Sequence, residues 1–442
     1  MTVKNNIYLI LKEYDNKPGR IRCTSEREIK EKLTQITKAN NYWKKKLGLA
    51  FPPFETMVNG KFLDVYAKGV TGFVRIDDIN VEVKPKFLDN SDDSQHWRVA
   101  LTKALLITNQ QSMLDRNFTS SSESNSAFLD LMAETFYNSL KSGIEQGLSK
   151  SYKVEKELLN HYKGKYDTRS ITSLFTHPHL IPCVYDEYTE DHLLNQLFKW
   201  TASELAKSVL SIDLSNRLIE LENMISANNV SNFDLLQVEN IYLSPQYNYL
   251  EDALQISKLL LQNKSLEHAD GSSELRGFLW NSAVVYEGLI KSAIRNICRK
   301  SHYTFSDASF TFVEIVEASG ALPQKTQLRT SPDVRIMDNG ASRYLIDAKY
   351  KVWTKQPKNE DIYQVMAGAR VVDCPMVVLM YPKTKQNEDI LIYNIRGRGN
   401  PLVLGAVFVD ISLLAESQGY TKFVNSIEID LRSFSQCYYS KF

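Results

Sequence analysis

Cysteine is scarce. Five occur in 442 residues, at positions 23, 183, 298, 374 and 437, and none stands in a CxxC pair. That scatter suggests neither a zinc site nor a disulfide framework. Long apolar runs are missing too: nothing approaches the roughly 18 consecutive apolar residues of a membrane span, and the first residues carry no signal-peptide pattern. The expectation is a soluble, cytoplasmic chain without a membrane partner. A GxxxxGK[ST] sequence is absent, so the chain is not expected to hydrolyse nucleotide itself. Excess charge is absent as well. The net charge of +1 argues against broad, nonspecific attraction to nucleic acid. The balance is uneven, with +4 over residues 271–442 and −3 over residues 1–270. A local phosphate-binding cleft in the C-terminal part is compatible with that distribution.

What is present is enough apolar sequence, 43% of 442 residues, to bury large cores in two or three domains. No internal repeat is visible. Residues 1–125 read as a β-rich, mixed region, with "GFVRIDDINVEVKPKF" patterned as a hairpin around Asp77-Asp78. The serine-rich "NFTSSSESNSAF" marks a first boundary at residues 117–128. Helical spacing follows through Leu129, Met132, Phe136 and Leu140, and again over 190–227 and 249–263, giving a helical middle over 126–268. "NKSLEHADGSS", residues 263–273, marks the second boundary. From there to 442 the order is helix, strands, helix, strand. A long helix is read from "LRGFLWNSAVVYEGLIKSAIRNICRK", with Phe278, Val285, Leu289 and Ile297 on its buried side and Glu287 in its middle. A helix over 359–371 and the core strand "PMVVLMYP" then complete an α/β domain with a mixed sheet. The fold class expected is thus α+β and multidomain.

The stretch that carries chemistry is "SPDVRIMDNGASRYLIDAKYKVW", residues 331–353. Asp338, Asn339 and Gly340 are turn formers between two alternating runs. With Asn339-Gly340-Ala341 as the loop, Asp333 faces Asp347; a two-residue loop shifts the register by one and weakens that pairing. Val334, Ile336, Tyr344, Ile346 and Ala348 share an apolar face, on which Tyr350 also falls; Asp333, Arg335, Met337, Arg343, Leu345, Asp347 and Lys349 share the other. Opposed carboxylates about 5 Å apart repel. A divalent cation resolves the conflict, since Mg²⁺ is held by one or two carboxylates plus waters and phosphate oxygens. Lys349 projects toward the same place, where an ammonium orients a water and offsets charge growing on a phosphate. These parts suit metal-assisted phosphodiester hydrolysis; a surface hairpin with scattered charges is the plain alternative.

Pro332-Asp333 followed by Asp347-Ala348-Lys349 resembles the PD-(D/E)xK nuclease superfamily. "LRTSPDVRI", "YLIDAKYK", "DIYQVMAGA" and "VVLMYP", with "GFVRIDDINVEVKPKF", "QGLSKSYKVEKELLNHYKGKYD" and "CVYDEYTEDHLLNQLFKWT" upstream, resemble McrC, the nuclease subunit of McrBC-type modification-dependent restriction systems. The resemblance runs from about residue 65 to 385, with Thr330-Ser331 inserted where the family runs from Leu-Arg straight into Pro-Asp. It implies a C-terminal PD-(D/E)xK endonuclease domain over 269–442, a partner-binding N-terminal region over 1–125, and Mg²⁺ (Mn²⁺ as a substitute) as cofactor. It also implies metal binding by Asp333, Asp347, Glu287 and the Ala348 carbonyl, with Lys349 as the lysine of the motif and Gln364 beside the site. The partners implied are a hexameric McrB-like AAA+ GTPase and double-stranded, modified DNA. Two other readings stay open: a stand-alone restriction endonuclease, and a non-catalytic adaptor of a AAA+ motor.

Some features read more plainly. His177 and His179 flank a proline and suggest a loop rather than a metal pair. Trp43 with Lys44, Lys45 and Lys46 reads as a solvated basic turn, Tyr363 as packing, and Arg396 with Arg398 as a flexible glycine-spaced loop.

Overall fold

In a computed structural model, residues 7–88, 96–109, 128–170, 172–263, 275–314, 327–384, 390–395 and 401–441 are described. The chain divides into two compact units: Met1–Phe128 with Ser265–Phe442, and Leu129–Lys264.

The first unit opens with β1 (Ile7–Lys12), β2 (Gly19–Arg22), α1 (Glu26–Lys46), β3 (Phe54–Asn59), β4 (Phe62–Ala67), β5 (Val70–Ile76), β6 (Ile79–Lys84) and α2 (His96–Asn109). Helix α1 starts where Ser25 accepts a hydrogen bond from the Glu28 N–H and the Glu28 carboxylate accepts one from the Thr24 N–H. That reciprocal cap satisfies N–H groups that have no partner inside the helix. Its buried stripe is Lys32, Ile36, Ala39 and Trp43. Trp43 is therefore core, fully buried, and Lys46 lies over its ring at 5.5 Å. The expected solvated basic turn is instead the last turn of α1, where Lys44 and Lys45 are exposed and Lys46 is half-buried over the Tyr42 and Trp43 rings. The expected hairpin is β5–β6, turning at Asp77-Asp78 with Asp77 in the left-handed region (φ 53).

The second unit contains α3 (Phe128–Gln146) from its second residue, then β7 (Ser151–Leu159), β8 (Lys165–Tyr166), α4 (Ser173–Thr176), β9 (Ile181–Thr189), α5 (Leu193–Ser208), α6 (Ile212–Met224), α7 (Leu235–Glu239) and α8 (Glu251–Asn263). Its strands form a three-stranded antiparallel sheet in the order β7-β9-β8. His177 and His179 are exposed, with rings 6.4 Å apart, and among the described residues they belong to no cluster of three His, Cys, Asp or Glu side chains. The two polar boundary segments, 117–127 and 264–273, lie outside the described residues.

The chain returns to the first unit as β10 (Leu275–Asn281), followed by α9 (Ser282–Arg299). Here the sequence expectation needs correction, because the long helix begins seven residues late. Leu275–Asn281 pairs antiparallel with β5, completing a sheet ordered β1-β6-β5-β10. Gly277 permits this at φ +137, where a side chain would meet the Phe73 carbonyl at 2.5 Å. Asn281 then caps α9 by accepting from the Ala283 N–H. Phe278 is buried as expected, but in a strand.

The remaining elements are β11 (Thr304–Ser306), β12 (Phe310–Glu314), β13 (Gln327–Thr330), β14 (Val334–Asp338), β15 (Ala341–Ala348), α10 (Asn359–Val371), β16 (Met376–Pro382), β17 (Ile390–Ile395), β18 (Leu402–Val409) and α11 (Gly419–Lys441). Six of the strands form a mixed sheet, β11-β14-β15-β16-β18-β17, with β15, β16 and β18 parallel. Every residue of β16 and β18 is buried, as covering on both faces requires. One face carries Val334, Ile336, Tyr344 and Ile346, all buried, against α9; the Tyr344 hydroxyl donates to the Leu431 carbonyl of α11. The opposite face packs Leu345, Val377, Leu379 and Tyr381 with Val365 and Ala369 of α10.

The β14–β15 turn is the two-residue one. Asn339 (φ 49) and Gly340 (φ 84) are both left-handed, the signature of a type I′ hairpin. A bulge between Ile336 and Met337 absorbs the resulting slip: Asp338 pairs with Ala341, yet Val334 pairs with Ile346. The register that sets Asp333 toward Asp347 is therefore kept by another route. A Cβ on Gly340 would touch nothing within 4 Å, so Gly340→Ala isolates the backbone cost. The expected loss is about 1 kcal/mol, read by urea unfolding at unchanged slope.

Candidate functional site

The site lies where β15 leaves the sheet. Asp333 sits one residue before β14, and its Oδ2 accepts the Ala348 N–H at 2.6 Å. The carboxylate thus replaces a ladder carbonyl and is fixed against the neighbouring strand. Asp347, on β15, is only 8% exposed. The Lys349 Nζ approaches its Oδ2 to 2.5 Å, although that oxygen has no well-directed hydrogen bond. Distance defines this contact better than angle does: an ion pair with unused acceptor capacity. The Lys349 backbone N–H is tied to the Met380 carbonyl at 2.8 Å, and its ammonium donates to Gln364 Oε1 on α10 at 3.1 Å.

Electrostatics agrees with that convergence. Asp333 is raised from 3.8 to about 6, first by burial and then by the Asp347 charge; the Ala348 N–H opposes this, Glu287 adds to it, and Lys291 opposes it. Of the residues predicted from sequence, Asp333, Asp347, Ala348, Lys349 and Gln364 are brought together. Glu287 stands apart: it reaches Asp333 through charge, while its Oε1 is held by Lys291 at 2.5 Å one helical turn on. A small pocket beside Asp347 and Gln364 is walled by Phe310, Pro332, Leu345 and Gly368. Tyr363, read as packing, is instead 68% exposed on α10. Arg396 and Arg398 lie outside the described residues.

Among the described residues no three His, Cys, Asp or Glu side chains form a cage. Mg²⁺ does not require one, since one or two carboxylates with water and phosphate oxygens suffice. The donor set fits such an ion: two oxygen ligands of like charge that repel, one of them with an orphaned buried oxygen.

Sequence reasoning missed Asp361. It lies in the first turn of α10, 3% exposed, with Oδ1 2.6 Å from Lys351 Nζ and 3.7 Å from Lys349 Nζ. A signal was available: Asp361 precedes Gln364 by three positions, one helical turn, and Lys351 follows Lys349 by two.

The family model for the McrBC 5-methylcytosine restriction system component matches residues 65–382. Among solved structures, the chain is similar to one in a tetradecameric assembly of Thermococcus gammatolerans McrB AAA+ hexamers with bound McrC. That match has a TM-score of 0.63 at 15% identity, covering 95% of this chain and 99% of the other. A chain of the Thermococcus gammatolerans McrBC complex matches at TM-score 0.47 and 17% identity, covering 66% of this chain and 88% of that one. No curated protein matches the sequence. Motifs, family match and fold agree, and the chain belongs to the McrBC 5-methylcytosine restriction system component family.

Proposed function

We propose that this chain is the Mg²⁺-dependent endodeoxyribonuclease subunit of an McrBC-like system, residues 269–442 being its PD-(D/E)xK domain. One observation carries the reading: a buried acid, a second acid with a raised pKa and a lysine bonded to a glutamine converge at one end of a mixed sheet. In this reading Asp333, Asp347 and the Ala348 carbonyl would hold the ion, with Mn²⁺ as a substitute. When bound, the ion supplies Lewis-acid polarisation of a phosphate oxygen and an acidified water.

The chain's own groups do the rest. The Ala348 N–H fixes Asp333, so the carboxylate is oriented before a ligand arrives. Gln364 Oε1 accepts from Lys349 and aims the ammonium, which offsets negative charge developing on the phosphate. Glu287, restrained by Lys291, adds negative potential at Asp333. Phe310 and Leu345 form an apolar wall on one side of the site.

The partner belongs to the same proposal: a hexameric AAA+ GTPase engaged through the N-terminal strands, with modified duplex DNA as substrate in the cytoplasm. The test incubates the full chain, its AAA+ partner and GTP with 5-methylcytosine-containing plasmid. Linear product is expected with Mg²⁺ or Mn²⁺ and none with EDTA. Vigorous cutting without partner or GTP would select the stand-alone endonuclease. Stimulated GTP hydrolysis with intact DNA under every condition would select the non-catalytic adaptor and end the nuclease reading.

A further inference from the structure

Asp361 has no part in the chemistry above, yet its burial demands a reason. A carboxylate out of water is costly unless cations and hydrogen bonds answer it. The first turn of α10 supplies a favourable dipole, and Lys351 supplies one counter-ion at 2.6 Å. Its second oxygen is buried without a hydrogen-bond partner. Tyr381 is buried in the same place; its hydroxyl is pushed up by burial and then by the charges of Asp361 and Asp347. Both acids therefore face one small volume, and the Lys349 ammonium stands between them, 2.5 Å from Asp347 and 3.7 Å from Asp361.

We infer that Asp361 is a positioning residue that retains the Lys349 ammonium over the site when Asp347 commits its charge to a cation; this rests on the nuclease reading. An ammonium and a divalent ion compete for the same carboxylate, and the divalent ion wins by charge. A lysine released from Asp347 turns to solvent unless another anion holds it. Asp361 and Gln364, one helical turn apart, form the remaining cradle. Lys351 gives Asp361 a second cation partner that does not depend on where Lys349 sits.

The test compares the wild-type full chain with Asp361→Asn, Asp361→Glu and Lys351→Gln, each with the AAA+ partner, GTP and Mg²⁺. Two readouts are taken: kcat and KM for DNA cleavage, and the acetic anhydride acylation rate of Lys349, followed by peptide mass spectrometry. Asp361→Asn is expected to lower kcat about tenfold to a hundredfold with KM within about threefold, and to raise Lys349 acylation at least about threefold. Asp361→Glu, which keeps the charge, restores much of both and serves if the asparagine variant fails to fold. An unchanged Lys349 acylation rate overturns the inference, as does a Lys351→Gln variant that loses as much kcat as Asp361→Asn. If no chain cuts DNA at all, the nuclease reading fails separately; the acylation contrast then still decides whether Asp361 holds Lys349.

Discussion

Asp347→Ala is expected to lower the cleavage rate by at least about a thousandfold, leaving assembly with the AAA+ partner unchanged. Two losses coincide at this side chain. Its carboxylate would be one of the ion's two acidic ligands, and it is the nearest anion to Lys349, at 2.5 Å. Without it the ammonium retains only Gln364 at 3.1 Å and Asp361 at 3.7 Å. Asp347→Asn keeps the shape and removes the charge, so it should fail equally and separate electrostatics from packing. The fold should tolerate either change, because the strand is held by Ile346, Leu345 and the parallel ladder to β16. The check is a single-turnover cleavage assay beside size-exclusion of the assembled complex. Undiminished cutting by a pure variant would discard the mechanism.

Glu13→Gln should flatten a pH dependence of stability. Glu13 follows β1, is 1% exposed, and its Oε2 accepts hydrogen bonds from the Tyr350 hydroxyl and the Lys86 N–H. Burial pushes it from 4.5 to about 7, against the pull of Tyr350 and Lys86. The folded chain thus keeps a proton that the unfolded chain releases near its ordinary value. The stability tied to that proton is complete below about 4.5 and is lost as pH rises through about 7. A displacement of that size is worth roughly 3 kcal/mol. Glutamine still accepts from Tyr350 and never ionises. The advantage of Glu13→Gln over the wild type should therefore grow by roughly 2 kcal/mol between pH 5 and pH 8. Urea unfolding at a series of pH values measures it, and a constant difference would refute the assignment.

How much of this was legible in the sequence depends on whether the information was local. The helix over 359–371 and the strand "PMVVLMYP" were readable because periodicity, an acidic first turn and a flanking proline agree. Asp333, Asp347 and Lys349 follow from alternation along one hairpin, and the bulge preserved the result even though the loop was misjudged. Residues 275–281 misled because their apolar spacing runs smoothly into α9, and only pairing with β5 reveals a strand. Trp43 was read from its lysine neighbours, although the spacing of Ile36, Ala39 and Trp43 already described a buried stripe. Tyr350, two positions past β15, packs against Phe87 and Tyr286, but its bond to Glu13 spans 337 positions. Asp361 shares a helix face with Gln364, one turn on, but its ion pair with Lys351 joins a helix start to a loop ten positions earlier, which helical spacing alone does not reveal.

The strand Leu275–Asn281 also has a bearing on biogenesis. β5 is sandwiched between β6 and a segment translated almost two hundred residues later. During synthesis its Val70–Ile76 backbone has bare amides and carbonyls along one side until that segment leaves the ribosome. The nascent chain thus carries an adhesive flank through much of its translation.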